Sequence, residues 1–537
     1  MNNIDLIIVG AGSAGCVLAN KFINFTNYNI LLIEAGPIDN SLVIDIPLGY
    51  GMTFYNKKIN WNFYSQNQIN LNNREIYYPR GKVLGGSSSI NGMVYARGLD
   101  TDYSDWDDND HWSLANIKQS FNEIEQDIND KVKRLNKNKI PVNDVSNLHH
   151  PILSYFFDGC KELDIKFNRN LSTDISNQVG HYNINTFKGK RYSSSKVFLK
   201  PIINNNRIKL MTNTLVKKIN IKDNKITSLD LCKNGKNFSI KPNIGAILSS
   251  GSIMTPYLLM HSGIGDPKKI KSINKSVVID NSNVGKNLQD HLGLDYLFRT
   301  LHPSLNTSLG TWSGRIKEIL KYCYNRKGAF ALSLNQAGGY LNWNSKNNYP
   351  NLQIYFNPIT YSITHKNRRP LLKTDKFDGF IIGYNSCRPK SLGEISVKSP
   401  DINDMPIINP NFLSHDDDLH DLICAFDFAR TLAKTKSISK IRKETIKNDL
   451  LNAGDQEMID HFKENAVSIY HPCGTCKMSK NVNDGVVSKK LKVHGLENLW
   501  IVDASVFPNI TSGNINASVM MLANIGSKLI IEDIKNI

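Results

Sequence analysis

The sequence predicts two interleaved domains, one α/β with a parallel sheet and one α+β with an antiparallel sheet. Three observations carry this. Residues 4–36 read as strand, glycine-rich turn, helix and second strand. From about 295 to 465 that pattern gives way to short strands and helices, which fit an antiparallel sheet with helices on one side. After 465 a short buried strand and a long apolar helix return the chain to the first domain. The expected division is therefore 1–295 mainly in the first domain, 296–465 mainly in the second, and 466–537 back in the first.

Ile4 to Val9 reads as a buried strand and runs straight into Gly10-Ala11-Gly12-Ser13-Ala14-Gly15. Cys16 to Phe22 has a helical apolar pattern, and Ile30 to Ile33 is a second buried run ending at Glu34-Ala35-Gly36. This context makes a G-x-G-x-x-G match meaningful and gives the domain a Rossmann-like reading. Gly10 permits the tight turn, Gly12 lets backbone approach a pyrophosphate, and Gly15 lets the helix sit close to the strand. The helix N-terminus offers free N–H groups and a partial positive charge to phosphates. Glu34 stands about twenty residues on, where a carboxylate can bond a ribose diol and disfavours a 2′-phosphate. These residues leave NAD and FAD equally open.

The 537 residues exceed one compact core, so two domains are expected. The net charge of +17 suggests attraction to anions. The basic residues are scattered, however, and the densest run, Lys131 to Lys139, lacks interleaved aromatics. A solvated face is expected there rather than a nucleic-acid surface; the alternative is weak association with an anionic membrane surface. Eight widely spread cysteines suit a reducing compartment. The one close pair, Cys473 and Cys476, has no second pair to complete a zinc site, so no metal is expected. The chain starts almost at its first strand, so no cleavable leader is expected, and no run of eighteen apolar residues suggests a membrane span. A cytoplasmic protein, peripheral at most on the inner face of a membrane, is the expectation.

The segment from Pro37 to Phe63 reads as an irregular, aromatic-rich wrap or lid. A second small-residue loop follows, Tyr78-Pro79-Arg80-Gly81-Lys82-Val83-Leu84-Gly85-Gly86-Ser87-Ser88-Ser89-Ile90-Asn91-Gly92-Met93-Val94-Tyr95. Its glycines let backbone crowd a polar ligand, and two such loops suit a large cofactor gripped in two places. Trp112 to Asp127 and Leu153 to Leu163 read as helices, Arg207 to Leu231 as a small hairpin, and Gly245 to Ser250 as a buried strand. In the second domain Tyr340 to Trp343, Leu352 to Phe356, Phe380 to Tyr384 and Glu394 to Lys398 read as strands. Asp417 to Ala433 and Gln456 to Asn465 read as helices, Asn498 to Val502 as the last strand and Ala517 to Ile531 as the last helix.

The two glycine loops together resemble the glucose–methanol–choline family of FAD-dependent oxidoreductases. So do Gly251 to Pro256 with Ser262 to Gly265, Val284 to His291, Pro389 to Gly393, His471 to Met478, Val502 to Ser505 and Gly513 to Ala517. The resemblance spans about residue 4 to about residue 530. It implies a histidine and a second His or Asn flanking the flavin, here His471 and Asn516, with the alcohol proton going to His471 and the hydride to flavin N5. An imidazole suits that task because its ordinary pKa lies near 6.5. The resemblance places FAD on Gly10, Gly12, Ser13, Ala14, Gly15, Glu34, Ala35, Val83, Gly86, Ser87, Asn91, Gly92, Met93, Val94, Val216, Asp503 and Ala504. Some members attach FAD through a histidine just before the asparagine; here Ile90 stands there, so non-covalent FAD is expected.

For the substrate, Gln336 and Tyr470 are the expected contacts. Tyr470-His471-Pro472 and Asn335 to Gly339 resemble choline-oxidising relatives, many of which carry glutamate at position 336. A neutral amide cannot pair with a quaternary ammonium. The stretches Ile46 to Gly49 and Lys57 to Trp61 look instead like members acting on aliphatic primary alcohols. The expected activity is oxidation of a primary alcohol to an aldehyde, with electrons passed to a quinone, oxygen or another acceptor. The alternatives are choline oxidation and a non-redox lyase reaction of the hydroxynitrile type. His471 speaks against the photodecarboxylases of this fold, which lack it.

Overall fold

The computed structural model describes residues 3–536 except 107–109, 130–131, 173–176, 346–347, 362–372 and 447–450. Its first layer is a parallel sheet in the order Ile208–Met211, Ile30–Ile33, Leu6–Val9, Gly245–Leu248, Leu499–Ile501. The apolar runs of Leu6–Val9, Ile30–Ile33 and Gly245–Leu248 are buried on both faces. They show no alternation because helices or strands cover each side. Chain order reverses beside Leu6–Val9, and in such sheets ligands bind off the carboxyl ends at the reversal. Gly10 and Ser249 both stand there.

The helix Ser13–Phe25 follows the first strand and packs on the final helix, Asn516–Lys535. Gly10 has φ +99°, and a Cβ there would come within 2.5 Å of the Ser249 carbonyl. A Cβ on Gly15 would lie 1.9 Å from the Gly10 carbonyl, so only glycine lets the helix start so close to the strand. The small hairpin expected at 207–231 is present only from Thr214 onward. Ile208–Met211 joins the parallel sheet, and Thr214–Lys222, Lys225–Lys233 and Lys236–Ile240 form a separate three-stranded antiparallel one.

The second layer is an eight-stranded, mostly antiparallel sheet. Its middle runs Leu292–Thr300, Gly379–Ser386, Leu352–Asn357, Ala337–Leu341, Gln178–His181. Gln178–His181 and the parallel edge strand Lys166–Phe167 come from the first half of the chain, and this is how the two halves interleave. Glu394–Ser396 pairs with Ile407–Asn409 instead of joining this sheet. The helix Asp416–Lys434 lies against Gly379–Ser386. Along Leu352–Asn357, Ile354 and Phe356 enter the main core while Tyr355 and Asn357 face a long cavity between the two layers. That is the two-residue period of a strand separating core from site.

Candidate active site

The cavity starts at Glu34, Ala35 and Val216, passes the turn Gly10, Gly12, Ser13 and Ala14, and ends at His471 and Asn514. The two glycine-rich loops meet along it. Gly85 N donates to the Ala11 carbonyl at 2.8 Å, and a Cβ on Gly86 would lie 2.8 Å from Gly12 Cα. Gly86, Ser87, Asn91, Gly92, Met93 and Val94 line the cavity beside them, as do Asp503 and Ala504. Gly15 does not; its work is the close packing described above. Val83 does not line it either, because its side chain packs with Ile44, Ile59 and Ile90.

Several features of the cavity wall suit a dinucleotide. The helix Ser13–Phe25 has no side chain capping its N-terminus, so its first N–H groups remain for phosphate. A Cβ on Gly12 would meet nothing nearer than 3.9 Å and would point into the open cavity. The buried Ser249 hydroxyl at the wall has no protein partner. Glu34 accepts from Ala11 N at 3.0 Å and Gly36 N at 2.9 Å, and burial pushes its carboxyl up to about 7. Asp503 accepts from Gly251 N at 2.8 Å and Thr255 Oγ1 at 2.7 Å, which ties the helix Gly251–His261 to the site; burial raises this carboxyl as well.

The far end is organised around His471. Its backbone N donates to Asp290 Oδ1 at 2.7 Å. Its Nδ1 lies 2.9 Å from His291 Nδ1, and its Nε2 lies 3.1 Å from Asn514 Nδ2. His291 Nε2 lies 3.0 Å from the Cys387 carbonyl. These contacts fix the protons. A carbonyl only accepts, so His291 carries its proton on Nε2 and presents a bare Nδ1. His471 then donates from Nδ1, which leaves Nε2 unprotonated at the end of the cavity, where its lone pair accepts from the Asn514 amide. Burial, helped by His291 and the Arg80 guanidinium, holds His471 well below the ordinary imidazole value, so it is neutral at rest. His291 is pushed down to about 4 by burial.

Two sequence expectations need correction. The asparagine beside His471 is Asn514, not Asn516. Asn516 opens the last helix, and its Oδ1 accepts from Ser13 Oγ at 2.7 Å, at the cofactor turn; it still lines the cavity. Gln336 is fully buried outside the cavity, where its Oε1 accepts from His150 N at 2.9 Å. Its neighbour Asn335 lines the cavity instead. Tyr470 lines it too, at φ +71°, with its carbonyl held by Arg80 Nη2 at 2.6 Å and its ring edge-on to Phe54.

Sequence reading missed His291, Asn335, Asn357, Tyr361 and Arg191. Asn357 Oδ1 is buried at the cavity wall with no protein partner. Arg191 is wholly buried and donates to Asn91 Oδ1 at 2.8 Å, the Asn91 carbonyl at 2.7 Å and the Ser88 carbonyl at 3.1 Å, which fixes the second glycine loop. A lone basic residue after a lysine carries no signal of that role. For His291, the signal was its place in the motif Val284 to His291.

A long trough that passes a glycine-rich helix N-terminus and ends at a neutral buried imidazole suits a dinucleotide-dependent oxidoreductase. The GMC oxidoreductase family matches residues 4–293 with its N-terminal part and 389–523 with its C-terminal part, and the chain belongs to that family. It is 33% identical to an alcohol dehydrogenase [acceptor] of Pseudomonas putida, over 99% of this chain and 96% of that protein. It is 30% identical to an oxygen-dependent choline dehydrogenase of Staphylococcus xylosus, over 98% and 94%. Among solved structures, a formate oxidase superposes with TM-score 0.91 at 23% identity over 100% of both chains. Pyridoxine 4-oxidase from Mesorbium loti gives 0.85 at 23%, over 98% and 99%. At that identity these two speak to the fold.

Proposed function

We propose that this protein is an FAD-dependent oxidoreductase that converts a neutral primary alcohol to an aldehyde, with His471 Nε2 as the base. The observation that carries the reading is the unprotonated Nε2 of His471, which accepts from the Asn514 amide at the end of the cavity. As the Asn514 amide turns from Nε2 to the substrate oxygen, the alcohol O–H donates its proton to that lone pair, a transfer suited to a neutral imidazole. Asn514 orients the substrate oxygen through its amide and needs no charge to do so. When bound, FAD supplies the two-electron acceptor for the hydride leaving the carbinol carbon. Gly12 and the helix behind it, Glu34, and the loop held by Arg191 would hold it.

The substrate end supports a neutral alcohol. Tyr50, Phe54, Tyr361 and Tyr470 wall it, with Asn335 and Asn357 as amides. Among the described residues, the carboxylates lining the cavity are Glu34 and Asp503, both on the cofactor side. A quaternary ammonium would therefore meet no carboxylate on the wall itself; Asp295 stands one residue back, accepting from Tyr361 OH at 3.2 Å. Relatives named for an unspecified acceptor and for oxygen support passage of electrons to oxygen or to another acceptor, for which a quinone is our reading.

Two experiments test this reading. His471→Ala is expected to keep FAD and to slow anaerobic flavin reduction by an alcohol roughly two to four orders of magnitude, the span of a positioned base. Asn514→Ala should slow it by a smaller factor, and Asn516→Ala should act mainly on FAD retention. A loss below tenfold for His471→Ala in stopped flow would assign the proton to another group. The second test is acid precipitation. Ile90 lines the cavity and offers no atom for a covalent link, so FAD is expected to leave intact with the supernatant. Yellow colour kept in the pellet would overturn non-covalent binding.

A further inference from the structure

The helix Trp312–Asn325 is amphipathic in the reverse sense. Its polar side faces the protein. Glu318 Oε2 accepts from Ala329 N at 2.7 Å, Tyr322 OH donates to the Gly189 carbonyl at 2.9 Å, and the Arg315 guanidinium donates to the Leu309 carbonyl. Its apolar side faces outward: Trp312 is 82% exposed, Ile316 50%, Ile319 46%, Leu320 63% and Tyr324 91%. At about 100° per residue these five fall within one face of the helix. Exposed apolar surface gathered in one place on a folded protein marks an interaction site.

The rim of that face is basic. Lys317, Lys321, Arg326 and Lys327 are all exposed. Gly189 lies against Arg326, which brings exposed Lys188 alongside. The helix's one carboxylate, Glu318, is turned inward to the Ala329 amide and also lies 3.8 Å from Lys321 Nζ, so it offsets one rim cation in part and leaves Lys317, Arg326 and Lys327 to carry the positive rim. A rim of cations around Trp, Ile, Leu and Tyr matches the headgroup layer of an anionic bilayer, where apolar side chains enter the acyl boundary and lysines meet phosphate. A second copy of this chain fits worse, because a two-fold contact through this face would set basic rim against basic rim. The net charge of +17 adds long-range attraction to an anionic surface. Among the described residues no helix is long and apolar enough to cross a membrane, so the contact would lie in the plane of the surface.

We propose that Trp312–Asn325 is a membrane-docking helix that seats the protein on an anionic lipid surface. This stands apart from the proposed reaction, since none of these residues lines the cavity. The cluster beneath the helix nevertheless continues to the substrate end: Leu309 and Leu332 pack in one apolar group with Tyr50, Phe54 and Tyr361.

The test is flotation of the FAD-loaded protein with vesicles of phosphatidylcholine, alone or with about one-third phosphatidylglycerol. Binding to the mixed vesicles is expected, weakening as salt rises, with a blue shift in tryptophan emission that Trp312→Phe abolishes. Ile316→Ser/Leu320→Ser/Tyr324→Ser should lower binding about tenfold or more, because the lost contacts are apolar. Turnover of a water-soluble alcohol should be unchanged, which also reports that the variant folds. Equal vesicle binding by the triple variant, or no binding by the wild type, would overturn the proposal. So would equal affinity for neutral and anionic vesicles, or a dimer in sedimentation that the same substitutions dissolve.

Discussion

The base role of His471 rests on a proton that His291 keeps elsewhere. Because His291 donates to the Cys387 carbonyl, its Nδ1 can only accept, and His471 is left with Nε2 unprotonated. Replacing His291 by Phe removes the acceptor and frees His471 to adopt the other tautomer. Flavin reduction by alcohol is expected to slow roughly ten- to a hundredfold with FAD retained, and Asn at 291 should restore part of it through its carbonyl oxygen. The pH profile separates this from a merely structural effect. His291 is one of the causes holding the His471 pKa down, so its removal raises that pKa. The group must be unprotonated to act, so the acid limb of kcat/KM should move to higher pH in His291→Phe. An unmoved acid limb would mean that the contact does not set the base. The pairing was half legible from sequence. His471 stood in a motif, but Asn514 and Asn516 are two residues apart in one motif, and only the start of the last helix at Asn516 decides which amide turns to the imidazole.

At the scale of elements, the strand, turn and helix at 6–25 could be read from sequence because every constraint there is local. The glycines nevertheless do two different jobs. Gly15 is a packing residue: a Cβ there would meet the Gly10 carbonyl at 1.9 Å. Gly12 is a ligand residue: a Cβ there clears the protein but enters the cavity. Gly15→Ala is therefore expected to destabilise the apoprotein by about 1–3 kcal/mol, as overpacking does. Gly12→Ala should leave apoprotein thermal unfolding nearly unchanged and weaken FAD binding about tenfold or more. Unfolding curves of the stripped proteins, followed by FAD titration, check both. A Gly12→Ala protein that bound FAD like the wild type would place the phosphates elsewhere. Elements without local signals were misread. Leu292–Thr300, a central strand of the second sheet, is nearly continuous in burial, and an expected boundary at 295 cut through it. The helix Trp312–Asn325 had no expected counterpart, although Trp312, Ile316, Ile319 and Leu320 recur at helical spacing; what sequence does not show is that this stripe faces solvent.

At the scale of the whole molecule, the substrate end exists only where the two layers meet, and no single segment shows it. Tyr50 and Phe54 come from the aromatic excursion, Asn357 and Tyr361 from the strand Leu352–Asn357 and its exit, and His471 and Asn514 from the returning segment. The choice between Asn335 and Gln336 is a matter of which side chain the approach to the strand Ala337–Leu341 turns inward. Sequence identifies the segment, but only the packed sheet gives its register. The specificity prediction therefore moves to Asn335, whose amide lies near Gly92 at the cavity wall. With no carboxylate among the described residues that line this end of the cavity, the wild type should prefer hexanol to choline. Asn335→Asp would place a partly desolvated carboxylate there, which attracts a cation by about one to a few kcal/mol after desolvation losses. The choline-to-hexanol ratio of kcat/KM should then rise about tenfold or more. Asn335→Leu, which removes the amide without adding charge, should not raise it. An unchanged ratio in Asn335→Asp would put position 335 out of reach of the substrate. A wild type already favouring choline would mean that the faces of Tyr50, Phe54 and Tyr470 hold the cation without a carboxylate, since aromatic rings attract ammonium by about 0.5 to 2 kcal/mol each.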